Sequence, residues 1–558
     1  MHILPSRHHP LLIAALTLLL YAGTLNNAFV LDDHAAIRDN PIVHRADLSE
    51  IFTTDYWSGY HSDRSGLYRP LTILSYALQY RLGGDAPFGY HLLNILLHTT
   101  TGLLLYRLVV DLTKKNDIAL TTTLLFAVHP AISEAVCAAV GRADLLAAAL
   151  TALSLILHLR SKTTGATIAL LLALLCKENA IVGLALFALT DVFQYRAFSR
   201  KSYRKPYLIY IGAILAYLLW RYHVLGAVGP SQIDRLDNPL IELEPGLRLL
   251  NAAALLGRYL GLLALPGELS ADYSYSALPL ATQFFSPHLA QVLLGLVLLP
   301  LTLVYSWHRQ PRLCFGLAWT LLCLAPVANI LLPIGTIMAE RLLYLPAFGY
   351  CFGLAALLHK VQRNTLVLIA LIALLSLRTA FRVADWQDSY TLFSSATRTH
   401  PQSARAWRVL GKAHFHRDEA QQGLSALNQA LQIFPDYYEI YNDLGTYHIQ
   451  VAQYDRAFGN LEASLRINAK FPPTWLNMGL AFYHVRHKEE AQQAFEQALR
   501  LAPAYSQAIY NLGVLSLEKG EKEKAAAFFS RVLELEPYHS EARQNFDRLL
   551  SAQQNSTP

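Results

Sequence analysis

Two adjacent aspartates, Asp32 and Asp33, follow the first long apolar run of the chain. Paired carboxylates at the end of a membrane-length segment could act as a general base, or could hold a divalent cation that neutralises a phosphate leaving group. The same residues could instead cap a helix or form a turn, because aspartate favours both. The pair alone does not decide between these interpretations.

Other polar residues recur beside the apolar segments, at what we predict to be the same ends of the helices. The candidate substrate-binding residues are Arg69, His91, Asn94, His129, Glu134, Arg142, Lys177, Glu178, Asp272, Tyr273, Glu340 and Arg341. Ionisable groups are costly in or beside a bilayer and mark functional pathways by default. Each also has a structural explanation: a snorkelling cation, a packed histidine or a hairpin turn. Together they fit a lipid-linked phosphate substrate, with cations holding the phosphate and a carboxylate deprotonating an attacking hydroxyl.

The composition indicates a membrane protein, with 53% hydrophobic and 15% charged residues in a chain of 558, against about 25% charged in soluble proteins. The net charge of +6 is explained by basic membrane loops, and no basic, aromatic-interleaved patch indicates nucleic-acid binding. The five cysteines lie in or beside apolar segments without a CxxC pair, so we predict neither a disulfide framework nor a zinc site.

Eleven apolar segments are predicted to cross a membrane. They run over residues 10–28, 88–106, 117–133, 142–159, 164–178, 180–196, 207–225, 286–306, 313–332, 343–359 and 364–381. The stretch 248–266 carries Arg258 midway and is predicted to be a re-entrant or interfacial helix. Basic loops then all fall on the side of the N-terminus, which is therefore predicted to be cytoplasmic. The loop 29–87 and the C-terminal part are predicted to lie outside.

From residue 404 the chain repeats every 34 residues, with Leu-Gly or Met-Gly at Gly411, Gly445, Gly479 and Gly513. This period and these small residues are typical of the tetratricopeptide repeat (TPR), a helix pair that buries its apolar face only against its neighbours. Four repeats are predicted over 404–538, after a linker at 386–403. A capping helix and tail would occupy 539–558, and the concave groove would bind peptides or proteins.

The order of several motifs is specific. The chain contains LDDHAAIRDNP, YRPLT, GRADLLAA, CKENAI and AERLLYLP, followed by the repeats. This order resembles the transmembrane and TPR repeat-containing protein O-mannosyltransferase family over nearly the whole chain. The resemblance implies the GT-C fold of glycosyltransferases that use polyprenyl-phosphate sugars on the extracytoplasmic side. It also implies transfer of mannose, or a related hexose, to a Ser or Thr hydroxyl.

The resemblance further implies that the first outer loop supplies a catalytic aspartate, Asp32 or Asp33, of which we favour Asp32. The phosphate candidates are Arg69, Arg142, Lys177 and Arg341, and the motif match does not select among them. A divalent cation, Mg²⁺ or Mn²⁺, is left open, with Asp32 and Asp33 as its ligands if one binds.

The expected architecture is all-α: a polytopic GT-C-type membrane domain over 1–385, with about 11 transmembrane helices and one interfacial helix, followed by an α-solenoid of TPR repeats. The expected partners are the polyprenyl-phosphate sugar, a protein acceptor in the TPR groove and the bilayer. We expect the bacterial inner membrane with a periplasmic TPR domain, or the ER membrane with a lumenal one. Two alternatives stay open: an enzyme acting on an envelope lipid or polysaccharide, and a non-catalytic TPR scaffold. A transporter is disfavoured because no inverted repeat is evident.

Overall fold

The computed structural model describes residues 5–58, 66–195, 204–227, 233–281, 299–330, 332–361, 364–536 and 538–554, with the single residues 283, 292 and 297. Every regular element in these residues is helical. The chain divides into two compact units, Met1–Ala406 and Trp407–Pro558. The segment predicted to be a linker contains a helix, Ser389–Thr399.

The first unit is built from long apolar helices joined by short helical turns. In chain order its helices are α1 (His9–Tyr21), α2 (Pro41–Arg45), α3 (Leu48–Thr53), α4 (Pro70–Gly83), α5 (Pro87–Thr113), α6 (Asn116–Ala127), α7 (Ser133–Cys137), α8 (Arg142–Leu159), α9 (Thr163–Cys176), α10 (Gly183–Tyr195), α11 (Arg204–Leu225), α12 (Pro245–Ala264), α13 (Leu299–Arg309), α14 (Pro311–Leu324), α15 (Tyr344–Leu358), α16 (Asn364–Asp385) and α17 (Ser389–Thr399).

The number of membrane-length helices differs from the eleven predicted. Within the described residues, seven helices are long and apolar enough to cross a membrane, or eight if the bent pair α6 and α7 is one span. Several apolar runs that look continuous in the sequence form interrupted helices in the structure. Residues 164–178 and 180–196 form helices of 14 and 13 residues separated by a 3₁₀ turn, and the pair Asn116–Ala127 and Pro130–Cys137 is bent by 62°.

Two predicted segments need separate comment. Most of 286–306 lies outside the described residues, which resume with a helix at Leu299. The stretch 248–266, predicted not to cross, lies in the continuous helix α12, whose 20 residues meet the length and composition of a span.

Helices α14 and α15 pack closely because glycines face each other. A Cβ atom on Gly316 would lie 2.5 Å from the carbonyl oxygen of Gly349, and one on Gly349 would lie 2.6 Å from the Trp319 ring. No larger residue fits between these backbones without a shift. This contact fixes α15 and, with it, the turn at Glu340–Leu343 that precedes the helix.

The polar connections of the first unit gather at one end of its helices. This loop end comprises residues 27–40, 66–69, 128–141, 177–182 and 332–343. Hydrogen bonds join its segments, for example Val140 N to the Asp33 carboxylate at 2.8 Å and Thr72 Oγ1 to the Cys176 carbonyl at 2.8 Å. The opposite end has its own centre, Asp111, whose carboxylate accepts from Arg160 at 3.0 Å.

The second unit is a stack of antiparallel helix pairs. Its helices, counted from the one that crosses the boundary, are α18 (Ala404–Phe415), α19 (Ala420–Ile433), α20 (Tyr438–Gln450), α21 (Tyr454–Ile467), α22 (Pro472–His484), α23 (Lys488–Leu501), α24 (Ser506–Glu518), α25 (Lys522–Leu535) and α26 (Ser540–Gln554). The small residue of each first helix lets its partner approach. A Cβ on Gly445 would lie 2.6 Å from Leu461, and one on Gly479 would lie 2.5 Å from Phe495.

Candidate active site at the loop end

The two adjacent aspartates lie in different environments. Asp33 is fully buried, and its carboxylate accepts one hydrogen bond from Val30 N at 3.1 Å and another from Val140 N at 2.8 Å. Asp32 is exposed, and within the described residues its carboxylate has no hydrogen-bond or ion-pair partner. Leu31, just before the two aspartates, has a left-handed backbone with a φ of 50°.

Burial raises the pKa of Asp33 to about 7, although the two backbone N–H groups favour the charged form. A side chain held in this way joins the first loop to the turn at Ala139–Gly141. Its position therefore suits a positioning role, whereas the exposed Asp32 is available to a substrate.

Two ion pairs tie the end of α9 to its neighbours. Arg69, just before α4, donates from Nε and Nη2 to the Glu178 carboxylate at 2.9 and 2.6 Å. Lys177 Nζ lies 2.7 Å from both oxygens of Asp144 in the first turn of α8. The Arg69 guanidinium also stacks over the Tyr56 ring, 5.2 Å from its centroid.

The charges in these pairs perturb one another. Burial raises the pKa of Glu178, but Arg69 outweighs this effect and holds it at about 2. Burial lowers the pKa of Lys177, Asp144 opposes the shift, and the nearby positive charges of Arg69 and Arg341 add to it. The two pairs therefore belong to one electrostatic cluster.

A third pair brings in the turn before α15. Arg341 donates from its backbone N to Glu134 at 2.9 Å and from Nη1 to the same carboxylate at 2.6 Å. The negative charges of Asp32 and Asp144 also act on this arginine. Its side chain is 35% exposed, more than those of Arg69 (14%) and Lys177 (5%).

The structure thus brings six separate chain segments to one place. The cluster at the loop end consists of Asp32, Arg69, Glu134, Asp144, Lys177, Glu178 and Arg341. Each of its three cations is paired with one carboxylate, and Asp32 is the acid left over. We call this set the ion-pair cluster.

Arg142 and Asn94 lie behind the cluster. Arg142 is fully buried and donates to Asn94 Oδ1 at 3.2 Å and to the Tyr90 carbonyl at 3.3 Å. Asn94 donates in turn to the Ala138 carbonyl at 2.8 Å. These contacts hold the 138–142 turn, and a bound anion would not reach Arg142 in this arrangement.

The two predicted histidines, His91 and His129, are buried among helices, and so is His98. His129 Nε2 lies 2.9 Å from the Leu263 carbonyl oxygen, and His98 Nδ1 lies 2.7 Å from the Tyr344 hydroxyl. His91 is fully enclosed beside the backbone of Asn27. All three contribute packing, and His98 and His129 also contribute hydrogen bonds within the bundle.

A separate buried group contains Asp272, Tyr273 and Glu340. It adjoins the ion-pair cluster because Glu340 is the chain neighbour of Arg341. The Tyr273 hydroxyl donates to Glu340 Oε1 at 2.7 Å. Asp272 accepts from the Ser403 hydroxyl at 2.5 Å. None of these three side chains is exposed at the cluster.

Two residues of this arrangement were not among the predicted site residues. Asp144 belongs to the GRADLLAA motif and pairs with Lys177, and a carboxylate in the first turn of an apolar helix was its only signal. Tyr56 contacts Arg69 through its ring, and nothing in its local pattern marks it.

The described residues contain no group of three or more His, Cys, Asp or Glu side chains arranged to hold a metal ion. At the aspartate pair, both oxygens of Asp33 already accept backbone N–H groups. The pair therefore offers a cation one exposed carboxylate, that of Asp32, and not two.

Comparison with known proteins gives consistent results for both units. A tetratricopeptide repeat model matches residues 374–438 and 476–540. A Caenorhabditis elegans protein O-mannosyl-transferase is 30% identical over 419 residues, which cover 72% of this chain and 59% of the relative. Human protein O-mannosyl-transferase TMTC3 is 28% identical over 76% of this chain and 51% of its own length. The corresponding values for human TMTC4 are 29%, 74% and 65%.

The chain thus spans between about half and two thirds of the length of these curated relatives. Among solved structures, the TPR protein YrrB resembles 28% of this chain with 80% of YrrB covered, at 19% identity and a TM-score of 0.23.

Proposed function

We propose, on the premise that the chain is homologous to the TMTC protein O-mannosyl-transferases, that it is a GT-C-type membrane glycosyltransferase. It would move mannose, or a related hexose, from a polyprenyl phosphate to Ser or Thr hydroxyls of proteins. The observation that carries this proposal is the exposed carboxylate of Asp32, which has no partner among the described residues and whose charge acts on the partly exposed side chain of Arg341. A base next to an anion-binding cation is what glycosyl transfer from a phosphate requires.

In the proposed reaction Asp32 accepts the proton of the acceptor hydroxyl. The hydroxyl oxygen forms a bond to the anomeric carbon, and the bond from that carbon to the phosphate oxygen breaks. The electron pair leaves with the polyprenyl phosphate, whose growing negative charge Arg341 stabilises.

Arg341 is the strongest of the four phosphate candidates because its side chain is 35% exposed and, among the described residues, it donates only to Glu134. Glu134 occupies Nη1 and the backbone N–H, which leaves Nε and Nη2 available to a phosphate oxygen in the proposed reaction. Lys177 is nearly buried between both oxygens of Asp144, and Arg142 is fully buried. Arg69 and Lys177 would act on the phosphate through their positive charge.

The loop end would face the extracytoplasmic side, with the N-terminus in the cytoplasm. The opposite end supports this orientation, because Arg107 and Arg160 gather there on Asp111 and positive residues favour the cytoplasmic side. The compartment would be the periplasm of a bacterium with this protein in its inner membrane, or the ER lumen of a eukaryote.

Helix α12 is proposed to lie along the interface without crossing. Just before its start, Asn238 donates to the carbonyl of Ile334 in the loop end at 2.8 Å. Near its other terminus, the carbonyl of Leu263 is 2.9 Å from His129, also in the loop end. These two contacts support a course along the interface for a helix that also has the length and composition of a span.

The second unit would recruit the acceptor protein. TPR repeats present a concave surface built from the first helices of successive pairs, and such surfaces bind extended peptides. The repeats would hold an acceptor protein outside the membrane, where its Ser and Thr hydroxyls could reach the proposed site.

The test is a transfer assay in membranes containing the full chain, with radiolabelled polyprenyl-phosphate-mannose and extracytoplasmic proteins of the host. Asp32→Asn is compared with Asp39→Asn, an exposed aspartate of the same loop whose partner is Arg38. Label in protein that is lost only with Asp32→Asn supports the proposal. Label in lipid or polysaccharide would favour a different acceptor. Unchanged labelling with Asp32→Asn would contradict the assignment of the base.

A further inference from the structure

A second buried polar group lies directly beside the ion-pair cluster. Its centre is Glu340, the residue that precedes Arg341 in the chain. Glu340 is fully buried, and three donors surround its carboxylate. Ser270 N lies 2.5 Å and the Tyr273 hydroxyl 2.7 Å from Oε1, and Arg382 Nη2 lies 3.4 Å from Oε2. We call Ser270, Tyr273, Glu340 and Arg382 the Glu340 clamp.

The Tyr273 hydroxyl is suited to remain a donor in this clamp. Burial raises the pKa of Tyr273 well above its ordinary value, and the neighbouring Glu340 carboxylate raises it further. The ring packs edge-to-face against His400, with centroids 5.0 Å apart. The hydroxyl therefore keeps its proton and its direction.

The clamp restricts Arg341 through the backbone. Residues 340 and 341 are consecutive in the 3₁₀ turn Glu340–Leu343. One side of this turn is held by the clamp, and the other by the bond from Arg341 N to Glu134 at 2.9 Å. A guanidinium on a turn fixed from both sides meets an incoming phosphate without first paying an ordering entropy.

The loop that carries Tyr273 is itself anchored. Asp272 accepts from the Ser274 hydroxyl at 2.7 Å and from the buried Ser403 hydroxyl at 2.5 Å. Arg405 is also close, with Nη1 3.8 Å from Asp272. The segment that ends the first unit thus holds the loop whose tyrosine holds Glu340.

We propose that Tyr273 is a positioning residue of the transfer reaction, acting through Glu340 to hold Arg341 where the donor phosphate binds. This inference rests on the proposed function of the same site. Tyr273 touches neither donor nor acceptor, and its loss should affect binding of the phosphate more than the chemical step.

The test is Tyr273→Phe in the full chain, which removes one hydroxyl and keeps the ring. We expect the KM for the polyprenyl-phosphate sugar to rise about tenfold, the effect of one lost hydrogen bond, with the KM for the acceptor unchanged. Tyr222→Phe, at a tyrosine that is 55% exposed, is the matched control and should leave both constants unchanged. Equal changes in both KM values, or an unchanged donor KM, would overturn the proposal.

A second measurement does not depend on transfer. Undecaprenyl phosphate should raise the thermal unfolding temperature of the purified natural chain in detergent, and should raise that of Tyr273→Phe less at the same concentration. If the lipid phosphate binds in this pattern but no donor supports transfer, the positioning role stands and the proposed acceptor chemistry fails. If the natural chain does not bind the lipid phosphate, both proposals fail.

Discussion

The same substitution should have opposite effects at the two adjacent aspartates. Asp32→Asn changes an exposed side chain without a described partner, so the free energy of unfolding should stay within about 0.5 kcal/mol of that of the natural chain. It removes the proposed base, so kcat should fall roughly 10²- to 10⁴-fold. The donor KM should change little, because the phosphate is held elsewhere.

Asp33→Asn should instead cost stability. The buried carboxylate accepts from Val30 N and Val140 N with separate oxygens, whereas an amide offers only one oxygen and turns an NH₂ group toward the other donor. One buried backbone N–H then loses its acceptor, which costs about 1–3 kcal/mol. Transfer should fall only as far as the folded fraction falls.

The pH dependence gives this prediction a sign that can be checked. Burial raises the pKa of Asp33 from 3.8 to about 7, so between these values the folded chain binds a proton that the unfolded chain has lost. The stability that Asp33 contributes is full below pH 3.8 and declines as pH rises toward about 7. Asparagine does not titrate, so the cost of Asp33→Asn should be largest below about pH 4, should fall as pH rises toward about 7, and should stay constant above that value.

The assay is thermal unfolding of each purified variant in detergent at about pH 5 and about pH 8, with transfer measured in parallel. Each aspartate is the control for the other, since the substitution and the loop are the same. Loss of transfer with Asp33→Asn at unchanged stability would refute this division of roles, and so would a stability cost that grows with pH.

Three further predictions concern contacts inside the first unit and contacts inside the second. Asp144→Asn leaves the buried Lys177 ammonium without its carboxylate and should lower the free energy of unfolding by about 3–5 kcal/mol; adding Lys177→Met should restore most of it in thermal unfolding of the full chain. Arg69→Lys replaces two parallel hydrogen bonds by one point contact, so steady-state transfer should fall roughly tenfold. Gly445→Ala places a Cβ 2.6 Å from a leucine of the paired helix and should destabilise the repeats by about 1–3 kcal/mol in thermal unfolding, whereas Gly459→Ala, with nothing within 4 Å, should not.

The repeat helices could be predicted from the sequence because their determinants are local. The period of 34 residues and the glycines at Gly445 and Gly479 place each helix pair within one repeat, and the tetratricopeptide match covers two of these stretches. The membrane helices depend on less local information. The length of an apolar run can be read from the sequence, but whether the run forms one continuous helix cannot. The bend of 62° near His129 and the 3₁₀ turn at Glu178–Val182 were therefore counted as parts of spans.

The candidate site shows what residue types leave undetermined. Arg142 and Arg341 are equivalent as phosphate candidates in the sequence, yet one is fully buried against Asn94 and the other is 35% exposed. Whether a particular side chain is buried depends on its packing against helices that are distant in the chain. A single sequence does not show which helices pack together. The same holds for Asp32 and Asp33, which are adjacent in the chain and differ in burial.

The pairing of every cation in the cluster has a consequence for the proposed reaction. A polyprenyl-phosphate sugar is a phosphodiester with one negative charge, whereas the polyprenyl phosphate released is a monoester that carries more than one at neutral pH. Three unpaired cations would bind this product most tightly and would slow its release. Glu134, Asp144 and Glu178 reduce that attraction while they hold the cations in place. In the proposed reaction the donors would then remain aligned with the charge that develops in the transition state, and the site would not become a trap for the released phosphate.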